Sequence, residues 1–353
     1  MSVTVYKGNK FRALAGNKVY YNSEWIELSG EDKIQINGVW HSLIDEYFID
    51  VENPFTIYRT GEQEETTITL QKNGSPVVSG LYYRYGNSGN WIPLADSSGT
   101  LSTLTLNSTN GYEVQFYNTN DTFSTYDLNY LQFSFSGGNV GCKGNIQSLM
   151  NFSNECKPYC YYGMFENCTS LTEAPELLAT TLAAHCYSCM FSGCTSLTKA
   201  PELLATTLAD YCYNSMFWGC TSLTEAPELS ATTLVEGCYR AMFLNCTRLT
   251  KAPELPATNL STDCYYRMFY GCKRLTKAPE LPATTLADSC YQEMFYECTS
   301  LNYIKVGFTS WHSNATYLWV SFVSSSGSFE APSSLPVEYG SNRIPNGWSV
   351  VNK

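Results

Sequence analysis

The chain has 353 residues, of which 44% are hydrophobic and 15% charged, a composition typical of folded soluble domains and not of disordered chains. Its formal net charge is −11 and no basic run interrupts the acidic balance, so we expect no nucleic acid partner. No apolar stretch approaches the roughly 20 residues that cross a bilayer, so we expect no membrane insertion.

The N-terminal segment, residues 1–45, contains two short hairpin patterns. Residues 18–28 align with residues 33–43, and Asn-Ser and Asn-Gly stand at the two turns. An isolated hairpin is marginally stable in water, so we expect the segment to attach to another surface through Trp25 and Trp40.

Residues 46–150 predict a β-sandwich. Strand-like runs alternate with Gly, Asn and Ser turns at the spacing of sandwich strands. Such a domain serves as a spacer or binds a ligand, and of these we favour the spacer.

Residues 151–306 contain six copies of a 26-residue unit, T-L-A-x-x-C-Y-x-x-M-F-x-x-C-T-S-L-T-x-A-P-E-L-x-A-T. A repeat of this length predicts a solenoid in which each copy packs on its neighbours. Twelve cysteines fall in two columns at the same period: Cys160, Cys186, Cys212, Cys238, Cys264 and Cys290, and Cys168, Cys194, Cys220, Cys246, Cys272 and Cys298.

Each copy predicts one helix followed by one short strand. Thr207 precedes Asp210 at the spacing of a capping box, and Gly219 stands where a helix would stop. A helix of about 11 residues between them turns the constant positions inward and the variable ones outward. The predicted fold is therefore multidomain, with hairpins and a sandwich before an α/β solenoid of the leucine-rich-repeat type, and residues 307–353 as its cap. The constant positions of the third copy are Cys212, Tyr213, Met216, Phe217 and Cys220.

The cysteine columns do not predict a metal site. Cys212 and Cys220 would lie about 12 Å apart along a helix, too far to share one zinc ion, so we expect buried, reduced thiols that pack as small apolar groups. The three histidines, His41, His185 and His312, have no nucleophile at a motif spacing, so we expect no catalytic residues, cofactor or enzyme activity. A column of glutamates is interpreted as structural, with a calcium ladder as the alternative: Glu176, Glu202, Glu228, Glu254 and Glu280.

Large side chains gather at the outward positions of the later copies. One column carries Trp218, Leu244, Tyr270 and Tyr296, and Arg240, Tyr266 and Arg267 stand beside it. Aromatic and arginine side chains are the usual anchors of a contact surface. A binding or subunit-contact patch and scattered surface aromatics both remain open.

The run Met216–Pro227, Met-Phe-Trp-Gly-Cys-Thr-Ser-Leu-Thr-Glu-Ala-Pro, resembles the BspA-like leucine-rich repeats of bacterial surface proteins and of phages that infect gut bacteria. Residues 144–149 resemble the junction before such repeats, residues 344–350 the ending of related chains, and residues 90–94 the β domain that precedes them. The tandem hairpins look like the attachment ends of phage fibre proteins.

The resemblance implies adhesion or host-surface recognition. The first residues lack the basic start, apolar run and cleavage site of a secretory signal. We therefore expect a virion-associated phage fibre or decoration protein that attaches to other virion proteins through its N-terminus. Its repeats would bind a host cell-surface protein or glycan, and a homotrimer is the usual assembly of such fibres. The alternative is a bacterial cell-surface or secreted adhesin.

Overall fold

The computed structural model describes residues 53–62, 65–76, 78, 80–88, 90–94, 100–120 and 129–352, and the backbone of five strands within residues 1–52. The chain divides into two compact units. One comprises residues 1–52 and 88–92, and the other residues 53–87 and 93–353. No helix in the described part is long and apolar enough to cross a membrane.

The first unit contains the two predicted hairpins. Tyr21 pairs with Glu24, and Ile36 pairs with Val39, which leaves two residues for each turn and confirms both hairpins in the backbone. The side chains of Trp25 and Trp40, proposed for attachment, lie outside the described residues. The strands are β1 (Arg12–Leu14), β2 (Lys18–Tyr21), β3 (Glu24–Glu27), β4 (Lys33–Ile36) and β5 (Val39–Ser42).

The second unit begins with two sheets. Their strands within this unit are β6 (Thr56–Arg59), β7 (Thr66–Asn73), β8 (Leu81–Tyr85), β10 (Thr100–Leu106), β11 (Glu113–Asn118), β12 (Tyr130–Ser136), β13 (Val140–Lys143) and β14 (Leu171–Glu173). Strand β9 (Ile92–Pro93) stands where the chain passes from the first unit to the second. One sheet has the order β10-β7-β12, and the other contains β14-β13-β6-β11-β8. The Phe55 and Phe133 rings meet between them at 5.7 Å, and Phe116 lies 5.3 Å from Phe133. The two sheets therefore share one apolar layer.

The predicted α-helix of each repeat is wrong. Among the described residues the one helix is a 3₁₀ helix, Ile146–Met150. Where helices were expected, every fourth residue has left-handed backbone angles, which an α-helix of L-residues does not contain. In the third copy these residues are Tyr211 (φ 54°), Ser215 (φ 54°) and Gly219 (φ 71°).

The backbone amides of this segment alternate between two kinds of partner. The Met216 N–H donates to the Tyr213 carbonyl at 3.3 Å and closes a tight turn. The next amide, of Phe217, donates to the Met242 carbonyl of the following copy at 3.0 Å. The segment is thus a row of consecutive turns that is hydrogen-bonded to the next copy, and we call it the turn segment.

The copies stack in register. Phe191 and Phe217 lie 5.7 Å apart with planes 4° from parallel, and Tyr187 and Tyr213 lie 5.8 Å apart at the same angle. The predicted inward positions are confirmed, because all five constant residues of the third copy, including Cys212 and Met216, are at most 1% exposed.

The stack continues beyond the predicted limits at residues 150 and 306. The Phe133 N–H donates to the Met164 carbonyl at 2.8 Å, and the Phe295 N–H donates to the Trp319 carbonyl at 2.9 Å. One apolar core therefore runs from the two sheets through the repeats into residues 307–352. A parallel sheet completes the C-terminal end, with β15 (Lys277–Leu281), β16 (Tyr303–Val306), β17 (Ser328–Ala331) and β18 (Ser349–Asn352).

Candidate binding surface

The turn segments place the predicted outward residues on one face. Trp218 is 45% exposed, and Leu244, Tyr270 and Tyr296 are half-buried. Trp218 and Leu244 lie close together on adjacent copies, because the Gly219 N–H donates to the Leu244 carbonyl at 2.8 Å. The column therefore follows the stack without a break.

Tyr266 lies between two arginines on this face. The guanidinium carbons of Arg240 and Arg267 are 4.0 and 4.9 Å from the centre of its ring. Arg240 also pairs with Asp263, and Arg267 pairs with Glu293 at 3.0 Å. Burial alone would lower the pKa of Arg267, but its hydrogen bonds to Glu293 raise that pKa overall. Both arginines are therefore held in place by a carboxylate and a ring before any partner arrives.

A second group of rings continues the face toward the C-terminus. Tyr270 and Tyr296 stack at 4.7 Å with planes 14° apart, and the Phe322 ring meets Tyr296 edge-on at 5.2 Å. Phe322 is 66% exposed. Sequence reasoning missed it because it lies in a seventh turn segment, residues 315–322, which does not carry the repeat motif. The backbone hydrogen bonds from the sixth copy place it there, among them the bond from the Glu297 N–H to the Ser321 carbonyl at 2.9 Å.

A separate ring stack borders the face in the early copies. Tyr159, His185 and Tyr211 stack at 4.6 and 5.0 Å, and the Tyr211 ring then covers Gly237. The hydrogen bond from Tyr211 Oη to Glu236 at 2.7 Å, with some burial, raises the pKa of Tyr211 to about 12. The Tyr211 hydroxyl is therefore neutral at physiological pH, and its ring is held by His185 of the preceding copy and by Glu236 and Gly237 of the next.

The twelve column cysteines are buried, as predicted. The second column has a role beyond packing, because each thiol donates to a phenylalanine carbonyl of the preceding layer; Cys220 Sγ lies 3.1 Å from Phe191 O. Burial raises the pKa of Cys238 and of Cys290 to about 12, so these thiols are protonated and unreactive at neutral pH. Cys189, outside the columns, is partly exposed, and burial raises its pKa to about 11.

The glutamate column lies on the strand side of the stack and is bound at both ends. Glu176 accepts a hydrogen bond from Asn53 Nδ2 at 2.8 Å, and Glu280 pairs with Lys305 at 2.8 Å. These contacts support the structural interpretation of the column. Among the described residues, no group of three Cys, His, Asp or Glu side chains converges as metal ligands.

We call the set Trp218, Arg240, Leu244, Tyr266, Arg267, Tyr270, Tyr296 and Phe322 the aromatic–arginine face. Its rings are rigid and its two arginines are already oriented, which lowers the entropy lost when such side chains bind a partner. The chain matches no known protein family, curated protein or solved structure.

Proposed function

We propose that the chain is a non-enzymatic recognition protein that binds a host cell surface through the aromatic–arginine face. The observation that carries the proposal is the continuity of that face over five stacked turn segments, from Trp218 to Phe322. Isolated surface aromatics are common, but large apolar side chains at one position of four consecutive layers, with the Phe322 ring against the last of them, form an extended contact surface.

The stack supports binding because it fixes the spacing of the rings. Neighbouring turn segments are joined by backbone hydrogen bonds of 2.7–3.1 Å at alternate residues, as at Arg267, whose N–H donates to the Gln292 carbonyl at 2.9 Å. Rigid presentation reduces the conformational entropy that a binding site loses. A ligand with a repeating structure would meet the same backbone spacing at successive layers.

In this proposal the protein is a virion-associated phage fibre or decoration protein, and residues 1–45 attach it to other virion proteins. A bacterial surface or secreted adhesin is the alternative and would use the same face. The two are distinguished by whether the native protein is recovered with purified phage particles or with the bacterial envelope.

The proposal is tested with the triple variant Trp218→Ser, Tyr270→Ser, Tyr296→Ser. These side chains contribute little to the core, so the thermal midpoint should stay within about 4 °C of the parent, whereas binding to whole host cells should fall at least tenfold. The host cells for this test are the bacteria that the phage infects, if the native protein is recovered with phage particles. If it is recovered with a bacterial envelope, they are the bacteria from which that envelope comes.

The matched control carries three substitutions on the strand side of the stack, Lys199→Ser, Lys251→Ser and Lys277→Ser. All three lysines are exposed. The control should bind like the parent. If the control loses binding while the triple variant retains it, the ligand binds on the strand side and the proposal is refuted.

A further inference from the structure

We propose that three cations at the edge of the aromatic–arginine face, Arg248, Lys273 and Arg274, bind the anionic groups of an acidic polysaccharide. The inference rests on the proposed function and names the class of its host-surface ligand. Three observations carry it: a departure from the repeat motif, the stacking of the two copies that depart, and the lack of a carboxylate partner among the described residues.

The three cations stand where the repeat has threonine and serine. The first, second, third and sixth copies read Cys-Thr-Ser-Leu at this point, as at Thr221 and Ser222. The fourth copy has Arg248 in place of the serine, and the fifth has Lys273 and Arg274 in place of both residues. Because four copies stack with threonine and serine here, packing does not require a cation. The cluster does not form a basic run, since its two arginines are one repeat apart in the sequence.

Equivalent turns present the cations in adjacent layers. In the fifth copy the Leu275 N–H donates to the Cys272 carbonyl at 3.1 Å, and the fourth copy has the equivalent bond at 3.0 Å. The cations occupy the central positions of these two turns. The Phe243 and Phe269 rings of the same copies stack at 5.8 Å. This layer spacing is shorter than the Debye length of about 8 Å at physiological ionic strength, so the charges act together on a ligand.

The three cations are exposed and unpaired. Among the described residues, none of them has a hydrogen bond, an ion pair or a ring contact. By contrast, Arg240 and Arg267 on the face are each held by a carboxylate. Like charges in adjacent layers repel one another, so the cluster does not stabilise the stack. A bound anion would offset that repulsion.

The cluster borders the aromatic–arginine face. Leu244 and Tyr270, both members of the face, precede Arg248 and Arg274 by four residues. The Tyr270 ring stacks on Tyr296 at 4.7 Å. Aromatic rings offer apolar area for the C–H face of a sugar, while guanidinium and ammonium groups bind carboxylate, sulfate or phosphate. A polysaccharide with charged substituents uses both kinds of group.

Two other polyanions fit this surface less well. A nucleic acid duplex carries one charge about every 1.7 Å, and it would also meet exposed carboxylates beside the cluster, at Glu225 and Glu254. An acidic peptide would find few free backbone amides, because those of the turn segments already donate to carbonyls, as Arg267 does to Gln292 at 2.9 Å. An acidic polysaccharide has more widely spaced charges and needs no backbone pairing.

The test is fluorescence anisotropy of labelled probes with the full chain. The probes are an oligogalacturonate, a dextran sulfate, neutral dextran, polyglutamate and oligothymidylate. We expect at least one acidic polysaccharide to bind, with an affinity that falls as salt rises from about 50 to about 200 mM, whereas neutral dextran does not bind. The proposal is overturned if neither acidic polysaccharide binds, or if polyglutamate or oligothymidylate binds as tightly as the better of them.

A variant that restores the motif locates the site. Arg248→Ser, Lys273→Thr and Arg274→Ser together give the fourth and fifth copies the residues of the third. The thermal midpoint should therefore stay within about 4 °C of the parent, while the affinity for the acidic polysaccharide falls at least about tenfold. The strand-side control, with its three lysine substitutions, removes the same total charge and should lose less than about threefold. Equal losses would show that net charge attracts the ligand, and would refute the site.

Host-cell binding separates this result from that of the proposed function. If the aromatic triple variant loses cell binding while the motif-restored variant keeps it, the face stands and the anionic site fails. If the motif-restored variant loses binding to cells and to the acidic polysaccharide while the aromatic triple variant keeps both, the anionic site stands and the face fails.

Discussion

Cys220 Sγ donates a hydrogen bond to the carbonyl oxygen of Phe191 in the preceding copy, at 3.1 Å. That carbonyl also accepts from the Cys194 N–H at 3.1 Å, so two donors from different copies meet on one oxygen. The second cysteine column thus joins neighbouring layers as well as filling the core.

We predict that Cys220→Ala lowers the free energy of unfolding by about 1–3 kcal/mol, because it removes a donor and leaves a small cavity. Urea unfolding measures the change. Cys189→Ala is the control, since that thiol is partly exposed and should cost less than about 0.5 kcal/mol. Equal costs for the two variants would show that the thiol donor does not stabilise the stack.

Gly237 and Tyr211 provide a second test of the stacking. A Cβ on Gly237 would lie 2.3 Å from the Tyr211 ring, whereas one on Gly219 has its nearest neighbour at 3.8 Å. Both glycines are left-handed, so each alanine substitution should cost about 1 kcal/mol from the backbone alone. Gly237→Ala should cost at least about 1 kcal/mol more in urea unfolding, since the ring must move. Equal losses would mean that Tyr211 does not pack on Gly237.

Stability should fall steeply at alkaline pH. Burial raises the pKa of the column thiols, to about 12 for Cys238 and Cys290, while thiols in the unfolded chain titrate near their ordinary value of about 8.5. Between these values the unfolded chain releases protons that the folded chain retains, so the free energy of unfolding decreases as pH rises.

The expected size of this effect is large. Each thiol lowers the free energy of unfolding by about 1.4 kcal/mol for each pH unit above its unfolded pKa. Twelve thiols together would therefore cancel the whole free energy of unfolding of an ordinary domain within about one to two pH units. We predict cooperative unfolding between about pH 9 and 11, followed by far-ultraviolet circular dichroism. A chain that keeps its parent urea midpoint from pH 8 to pH 11 would contradict thiol burial in the folded state.

Circular dichroism also tests the turn segments. A stack of turns and short strands should lack the double minimum of α-helices. Six helices of about 11 residues would instead make about one fifth of the chain helical and give a clear helical band. A helical content near that fraction would show that the turn segments are helices after all.

The sequence predicts the inward positions of the repeats better than their backbone. Cys212 and Phe217 recur in every copy, and any fold that stacks the copies must bury such positions, so their burial did not depend on the helix assignment. The helix prediction was wrong because turns of four residues and α-helical turns of 3.6 residues give nearly the same apolar pattern over ten residues. Gly219 resembles a helix stop, while Tyr211 and Ser215 carry no sign that their backbones are left-handed.

The candidate face was only partly predictable for a related reason. Trp218, Tyr270 and Tyr296 stand out because their positions vary while the rest of the unit is constant. Phe322 belongs to a segment whose sequence no longer shows the repeat, so only the hydrogen bonds of the preceding copy identify its layer.

Hydroxyl-radical footprinting of the cell-bound protein tests most directly whether a partner covers the aromatic–arginine face. Exposed aromatic side chains report on coverage without any substitution. We predict that oxidation of Trp218, Tyr270, Tyr296 and Phe322 falls at least several-fold on binding. Tyr112 in the sheet region and Tyr339 near the C-terminus, which are 50% and 51% exposed, should be oxidised as in the free protein. Protection of Tyr112 or of the strand side, with the four face residues oxidised as before, would contradict the account.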